Sequence, residues 1–273
     1  MNLTPKDNPQ EFNKVLFQEI GINLFKHKYL KDYIDGVQSG IRKLYDASLI
    51  NKTGDGWILI LHGDILLIYG HNWNKAQFSE IKQIFDLNDY TNYAAGGEAK
   101  LIGELIEYFK VDKYTVRKER IFYKSDKIID FETNGLKIEL GKMSELNELA
   151  IMLQLYYHEE YKGENDKSLS EMQQRMFQLI HTAKVYTLKN KSNNLLSFCS
   201  IIDPDIGILF TNPEHREKGY GKILLSHCSK LLENENGAVY VMTDRNEVGS
   251  NRVCKAVGFN SIYEFSMIEI NYG

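Results

Sequence analysis

The segment Pro213 to Lys222 combines basic residues with two glycines in the order Pro-Glu-His-Arg-Glu-Lys-Gly-Tyr-Gly-Lys. An apolar run at 207–211 predicts a strand before it, and Pro213 ends that strand because it donates no N–H group. Apolar spacing predicts an amphipathic helix from Gly219 to about Leu232. The first N–H groups of a helix lack partners within it, and its dipole adds about half a positive charge. This order of elements therefore predicts an anion site.

Two glycines stand two residues apart at the predicted start of that helix, Gly219 and Gly221. Because they carry no Cβ, they would let a phosphate approach the backbone closely. The side chains of Arg216, Lys218 and Lys222 add positive charge around them. For a Gly-x-Gly pattern by itself, a tight strand-to-helix turn that binds nothing is the alternative.

This arrangement resembles the GNAT superfamily of N-acetyltransferases. The motif of that family is Arg or Gln, two residues, Gly, one residue, and Gly or Ala, which here are Arg216, Gly219 and Gly221. The resemblance is sharp over residues 206–260 and extends, by the order of elements, over 136–270. It implies a mixed α/β fold and acetyl-CoA as the acyl donor, without a metal.

The resemblance also implies which residues bind coenzyme A. Backbone groups of 209–211 would pair with the pantetheine arm and the acetyl carbonyl, between a fourth and a fifth strand that splay apart. N–H groups from 217 to 222 would hold the pyrophosphate. The predicted donor-binding residues are Leu209, Phe210, Thr211, Arg216, Glu217, Lys218, Gly219, Tyr220, Gly221, Lys222, Asn246 and Asn251.

Two positions near the last predicted helix depart from the family pattern. Glu247 occupies the position of the usual Asn, with Asn246 one residue earlier. Cys254 replaces the Tyr that often protonates the departing thiolate. Cys254 is the candidate for a catalytic proton donor, and a small packed residue on the helix is the more common role for such a Cys. The departures motivate an alternative hypothesis, a non-catalytic acyl-CoA-binding or regulatory protein.

Several residues are candidates for the acceptor side of the reaction. Asp244, Glu247 and His215 lie where a general base is needed, and each also fits a solvated loop. In the family the end of the first helix borders the acceptor pocket. Tyr157 and Glu160 are therefore predicted to contact an acceptor amine, with a helix end that carries solvated charges as the alternative.

Bulk composition excludes several classes of protein. The chain has 273 residues, 43% hydrophobic and 26% charged, with a formal net charge of −4, which does not suggest a nucleic-acid partner. Met1 to Gln10 is polar, unlike a signal peptide, and no apolar run approaches the roughly 20 residues that span a bilayer. Three widely spaced cysteines fit neither a disulfide framework nor a zinc site, which predicts a reducing, cytoplasmic compartment.

The chain is predicted to form two domains, an N-terminal α/β domain at 1–130 and a GNAT domain at 131–273. In the first, we predict a helix at 10–20, a hairpin around His62-Gly63-Asp64 and helices at 76–85 and 98–109. These elements also fit a degenerate second copy of the same fold. The sequence offers no second phosphate cradle there, so this domain is predicted to cap the acceptor site or to support the fold.

The second domain is predicted as a mixed sheet with helices on its faces. Its helices begin at Ser144 and Ser168, where Ser168 and Glu171 match a capping box. The other predicted elements are strands at 136–140, 184–188, 195–202, 207–211 and 238–243, a helix at 248–257 and a last strand pair from Phe259.

These features predict an N-acetyltransferase that moves an acetyl group from acetyl-CoA to a primary amine by direct attack in a ternary complex. The predicted acceptor is a small molecule or a peptide, with neither nucleic acid nor membrane as a partner. A longer acyl donor is a further possibility that the sequence leaves open.

Overall fold

The computed structural model describes residues 14, 16, 25–51, 56–125, 127–164, 166–182, 184–202 and 204–271. They belong to two compact units. Unit 1 takes in residues 1–122, 244–246 and 262–273, and unit 2 takes in 123–243 and 247–261. The helix predicted at 10–20 lies outside the described residues, except for residues 14 and 16.

The helices described beyond residue 24 are α1 (Lys28–Gln38), α2 (Ala76–Ile84), α3 (Ala99–Phe109), α4 (Leu146–Glu160), α5 (Leu169–His181), α6 (Tyr220–Asn236) and α7 (Val248–Val257). The strands are β1 (Leu44–Asn51), β2 (Trp57–Gly63), β3 (Leu66–His71), β4 (Tyr93–Glu98), β5 (Tyr114–Ser125), β6 (Lys137–Leu140), β7 (Val185–Lys189), β8 (Leu195–Ile202), β9 (Asp205–Thr211), β10 (Val239–Asp244) and β11 (Asn260–Ile270).

Unit 1 is built around a mixed sheet with helices on both faces. β1, β2 and β3 are antiparallel, β3 pairs in parallel with β4, and β4 is antiparallel to β11. β2 and β3 are apolar on both faces and buried over nearly their whole length, as expected for strands covered on both sides. One face packs against α2 and α3, whose contacting residues include Phe78, Ile81, Leu101 and Leu105.

Unit 2 has a similar mixed sheet. β6, β7, β8 and β9 are antiparallel, and β9 pairs in parallel with β10. α4 and α5 cover one face through a core that includes Leu153, Met176 and Phe210. The start of α6 approaches β9, because a Cβ at Gly221 would lie 3.2 Å from Thr211 Oγ1 and 3.8 Å from Leu209 Cδ2. β9 is therefore fixed between α4 and α6.

Two parts of the chain repeat one order of elements, although β11, the last strand of the second repeat, lies mostly in unit 1. From β1 and from β7, the chain runs through three antiparallel strands, a helix, a strand, a helix and a strand. In both, the third strand pairs in parallel with the strand after the helix, β3 with β4 and β9 with β10. This repeat supports the hypothesis that the first unit is a degenerate copy of the second.

Trp73 stands in unit 1 where unit 2 has the glycine-rich turn. It lies between β3 and α2, and its Cε3 atom is 2.8 Å from where a Cβ of Gly70 would be. Its indole N–H donates to Glu104 Oε2 at 3.0 Å. A large side chain packed against the end of β3 thus replaces the turn, which agrees with the lack of a second cradle in the sequence.

Most predicted elements of unit 2 are present within two residues of their predicted ends. Ser168 accepts from the Glu171 N–H, and the Glu171 carboxylate accepts from the Ser168 N–H, so the capping box is confirmed. The prediction that Ser144 caps α4 is wrong. Ser144 lies inside a 3-10 turn, Met143–Glu145, and α4 begins at Leu146 after Glu145.

Glu98 ends β4 and is a half-buried carboxylic acid. It pairs with Phe265 of β11, so both side chains lie on one face of the sheet. Burial raises the pKa of Glu98 to about 7, against the smaller opposing effects of Lys100 and Lys26. Since the folded-state pKa exceeds the unfolded one, this group contributes stability below the unfolded pKa that is lost as pH rises through about 7.

We therefore expect Glu98→Gln to reduce the pH dependence of stability. Wild-type protein should lose more of its melting temperature than Glu98→Gln between about pH 5 and about pH 8. Circular dichroism melts at both pH values measure this loss. The exposed Glu80→Gln variant serves as the control and should behave like wild type. Equal losses for Glu98→Gln and wild type would contradict the assignment.

Candidate functional site

In the second half of β9, the backbone N–H groups point alternately toward β8 and away from it. Toward β8, the Asn212 N–H donates to Leu196 O at 3.0 Å and the Ile208 N–H donates to Ser200 Oγ at 2.7 Å. Successive residues of a strand point their N–H groups to opposite edges. The N–H groups of Leu209 and Thr211 therefore point away from β8, toward the side of β10.

β10 does not follow β9 to its end. The two strands pair at Tyr240 with Asp205 and at Val241 with Ile206, and their described pairing stops there. The edge of β9 over residues 207–211 is left without a ladder partner in the described part of unit 2. We call the space beside this edge of β9 the cleft, and the N–H groups of Leu209 and Thr211 point toward it, as expected if the fourth and fifth strands of the family splay apart.

Phe210 differs in direction from its neighbours. It pairs with Phe198 on β8, and its carbonyl accepts from Ser197 Oγ at 2.7 Å. Its ring lies in the core of unit 2. Of the three residues predicted to pair with the donor through their backbones, only Leu209 and Thr211 face the cleft.

The turn after β9 leads into an uncapped helix. A 3-10 turn, Pro213–His215, is followed by Glu217 at φ 61° and Gly219 at φ 81°, and α6 begins at Tyr220. No side chain caps α6, and the first bond of the helix runs from the Ile223 N–H to Gly219 O at 3.1 Å. The N–H groups of residues 220–222 are consequently left to an outside acceptor, as an anion site requires.

The two glycines of the motif serve different purposes. Gly219 has a left-handed backbone, and a Cβ there would meet nothing closer than Lys222 Cε at 4.0 Å. Gly221 is needed for space, because its Cβ would lie 3.2 Å from Thr211 Oγ1. Conformation at one glycine and close packing at the other place the helix start beside the end of β9.

The basic residues of the motif are held in separate ways. Lys218 Nζ donates to Glu214 O at 3.3 Å, and Lys222 Nζ lies 4.4 Å from the centre of the Phe131 ring. The Arg216 guanidinium binds Glu159 of α4, so its charge is already paired within the protein. Lys218 and Lys222 are the two cations of the motif without a described carboxylate partner.

Asn251 and Asn246, both predicted donor-binding residues, lie in unlike surroundings. Asn251 Oδ1 accepts from Tyr123 Oη at 3.0 Å and from Thr243 Oγ1 at 2.5 Å, which ties α7 to two strands. Asn246 is exposed in the turn after β10, where its N–H donates to Asp244 Oδ1 at 2.8 Å. Asn251 is thus held inside unit 2, and Asn246 belongs to unit 1.

Cys254 is a core residue of α7. Its side chain is 3% exposed, and burial raises the pKa of its thiol to about 12. A thiol in this setting stays protonated at neutral pH and has little contact with solvent. These properties favour packing over proton transfer as its role.

The three candidate bases show no common arrangement. Asp244 forms an ion pair with the buried Arg120 and accepts from the Asn246 N–H. Glu247 is exposed before α7, and His215 ends the 3-10 turn. Asp244 is thus committed to a structural ion pair.

The end of α4 carries the predicted acceptor residues. Tyr157 is buried, burial raises the pKa of its phenol, and the guanidinium carbon of Arg175 lies 5.2 Å from its ring centre. The ring of Tyr161 lies beside it, tilted by 30° and with its centre 5.6 Å away. Glu160 is half-buried on the same turn. An aromatic surface with an adjacent carboxylate suits an amine.

Three residues of the site were missed from the sequence. Glu159 pairs with Arg216, Ser197 bonds the Phe210 carbonyl, and Ser200 replaces a ladder bond at an irregularity in β8. Polar residues within the apolar run of β8 were the available signal for the two serines. Nothing in the spacing of Glu159 pointed to a partner 57 residues away.

No group of His, Cys, Asp and Glu side chains in the described residues could hold a metal ion. None of the described helices has the length and apolar character to cross a membrane.

Comparison with known families agrees with this geometry. Residues 149–259 match the model of the Acetyltransferase (GNAT) family. These residues form a GNAT acetyltransferase domain. A search of curated protein sequences found no match.

The GNAT fold also appears in solved structures that resemble the chain. A Drosophila protein aligns at 13% identity over 99% of this chain and 97% of its own, with a TM-score of 0.51. A GNAT-family acetyltransferase from Colwellia psychrerythraea aligns at 13% identity over 92% and 98%, with a TM-score of 0.51. A GCN5-related N-acetyltransferase from Sphaerobacter thermophilus aligns at 11% identity over 84% and 77%, also at 0.51.

In the GNAT domain, replacement of Gly219 tests the geometry of the turn. We expect Gly219→Ala to lower the free energy of unfolding by about 1–2 kcal/mol, the cost of a left-handed backbone for a residue with a Cβ. Urea unfolding followed by circular dichroism measures this change.

Gly249→Ala provides the control within the same domain. Gly249 lies in α7 with no atom within 4 Å of its Cβ position, so alanine should stabilise that helix by about 0.5–1 kcal/mol. An equal effect of the two substitutions would contradict the conformational role of Gly219.

Proposed function

We propose that this protein is an N-acetyltransferase that transfers an acetyl group from acetyl-CoA to a primary amine of a small molecule or a peptide. The observation that carries the proposal is the early end of the pairing between β9 and β10, beside the uncapped start of α6. Few structural reasons exist to leave a strand edge and a helix start open next to each other. A ligand with an extended amide arm and a pyrophosphate satisfies both.

Coenzyme A fits the hydrogen-bond donors and the cations that line the proposed site. The N–H groups of Leu209 and Thr211 point into the cleft, where an amide-bearing arm can bond to β9 as a further strand would. The N–H groups of 220–222 and the ammonium groups of Lys218 and Lys222 suit a pyrophosphate. Acetyl-CoA supplies the thioester, and the protein supplies its orientation.

The acceptor amine requires the larger chemical contribution. With a Lys-like pKa of about 10.4, roughly one amine in 2,500 is neutral at pH 7, equivalent to about 4.6 kcal/mol. Near Tyr157 and Glu160, a positioned water or carboxylate would remove the proton before direct attack on the thioester. Cleft N–H groups of β9 would stabilise the charge that develops on the carbonyl oxygen.

The leaving thiol places less demand on the protein. A thiol of about pKa 8.5 departs readily as a thiolate near neutral pH, so the Cys in place of the family Tyr does not by itself prevent turnover. A non-catalytic acyl-CoA-binding or regulatory protein is the second candidate, favoured by the burial of Cys254.

A reducing, cytoplasmic compartment remains a prediction from the three cysteines, which are all free and buried.

Thiol release from acetyl-CoA with a broad panel of amines tests the proposed activity. We expect amine-dependent thiol release, and calorimetric binding of acetyl-CoA at one site. Longer acyl-CoAs assayed in parallel determine the preferred donor. Binding without turnover across the panel would support the non-catalytic candidate, and absence of binding would reject both.

A second prediction concerns Cys254. We expect Cys254→Ala to leave kcat within about two-fold of wild type from pH 7 to pH 9, because loss of a true general acid costs about 100-fold or more. The melting temperature should fall, since a buried side chain is truncated. A large fall in kcat with a shifted pH profile would show that the thiol acts in the reaction.

A further inference from the structure

Arg216, the first residue of the motif, uses two nitrogens of its guanidinium, Nη2 and Nε, to bond groups within the protein. Nη2 donates to Glu159 Oε1 at 2.9 Å and to Oε2 at 2.8 Å, and Nε donates to Thr211 O at 3.1 Å. The guanidinium carbon lies 5.2 Å from the centre of the Phe210 ring. The ring contact places the guanidinium beside Phe210, which packs in the core with residues of α4 and α5.

The position of this ion pair links two functional regions of the GNAT domain. Glu159 lies one residue from Glu160 and two from Tyr157, at the end of α4 that faces the proposed acceptor. Thr211 ends β9, where a backbone N–H faces the cleft. One guanidinium therefore holds the end of α4, near the proposed amine acceptor, against the end of β9, near the proposed acyl donor.

We propose that Arg216 is a positioning residue that acts through Glu159, and not a ligand of the pyrophosphate. This inference rests on the proposed function, because it concerns how the coenzyme A site is held in shape. The phosphate groups would then be held by the backbone N–H groups of α6 together with Lys218 and Lys222. By fixing Thr211, the pair presents the cleft N–H groups in one geometry before the donor arrives.

The two roles predict opposite effects of Glu159→Gln on the affinity for coenzyme A. If Arg216 bound phosphate, the Glu159 carboxylate would compete with the ligand, and Glu159→Gln would tighten coenzyme A binding. If Arg216 positions β9 through Glu159, Glu159→Gln weakens binding to the same extent as Arg216→Gln. Since the pair is partly exposed, we expect an effect of about five-fold, the factor that about 1 kcal/mol gives.

The experiment is calorimetric titration of the full chain with coenzyme A. The proteins are wild type, Arg216→Gln, Glu159→Gln, the double variant and Arg216→Lys. Each single Gln variant and the double variant should raise the Kd by about five-fold, without additivity, since all remove the same contact. Arg216→Lys should not restore binding, because an ammonium cannot reproduce the forked contacts to a carboxylate and a carbonyl.

Glu164→Gln is the matched control, because Glu164 is an exposed carboxylate five residues beyond Glu159. It should leave the Kd unchanged if the effect of Glu159 comes from the ion pair and not from general charge. Tighter binding or no change in Glu159→Gln, or normal binding in Arg216→Lys, would overturn the inference.

Failure of wild-type protein to bind coenzyme A would reject the proposed function. Urea unfolding of wild type, the two single Gln variants and the double variant then decides the positioning role. Non-additive losses of stability would support a clamp between α4 and β9, and additive losses would overturn it.

Discussion

The divergence of β9 from β10 is the constraint on which the proposed site depends. A backbone N–H that is removed from water and left unpaired costs about 1–3 kcal/mol, so strands normally pair along their whole length. Here the described pairing of β9 with β10 stops at Ile206. Ser200 Oγ accepts the Ile208 N–H at the irregularity in β8, and a Cβ at Gly207 would lie 2.6 Å from that oxygen. A side chain thus satisfies the β8 edge of β9 at the irregularity, while the opposite edge over 207–211 has no described strand partner.

The sequence predicted the local parts of this arrangement well. Glycines, a proline and helical periodicity report on the conformation of neighbouring residues, and the strand, turn and helix from Asp205 to Asn236 were all expected. Ser168 and Glu171 likewise form their capping box within four residues. These signals work because the interaction partners are close in the chain. Backbone φ angles and helix ends depend on residues within a few positions.

Contacts between distant segments were not predictable in the same way. β1, β4 and α1 were missed, since Gly96 and Gly97 interrupt the apolar pattern of β4, and the charged sequence of α1 resembles a solvated loop. The expectation that the backbone of Phe210 faces the acyl donor depended on the register of β9, which only its pairing with β8 fixes. The Arg216–Glu159 pair joins residues on separate elements. Spacing along the chain carries no information about such a pair.

Unit 1 shows that the repeated order of elements does not by itself produce a glycine-rich turn. Its β3 and β4 have the same parallel relation as β9 and β10, yet Trp73 packs where a flexible glycine turn would be. The indole is fixed by Glu104 and lies against the close-packed Gly70. A binding cradle therefore depends on a few residues at one turn, and the fold around it can be kept without the cradle.

Recognition by backbone groups, as proposed for coenzyme A, would let the GNAT domain depart from the family pattern at Glu247 and Cys254. The N–H groups of Leu209 and Thr211 and the helix start at Tyr220 exist whatever side chains stand at Glu247 or Cys254, provided that the two glycines keep their conformation and space. Cys254 is then available to fill the core. Because the groups proposed to bind coenzyme A come from the main chain, the departures at Glu247 and Cys254 would bear on the rate of transfer more than on the ability to bind the acyl donor.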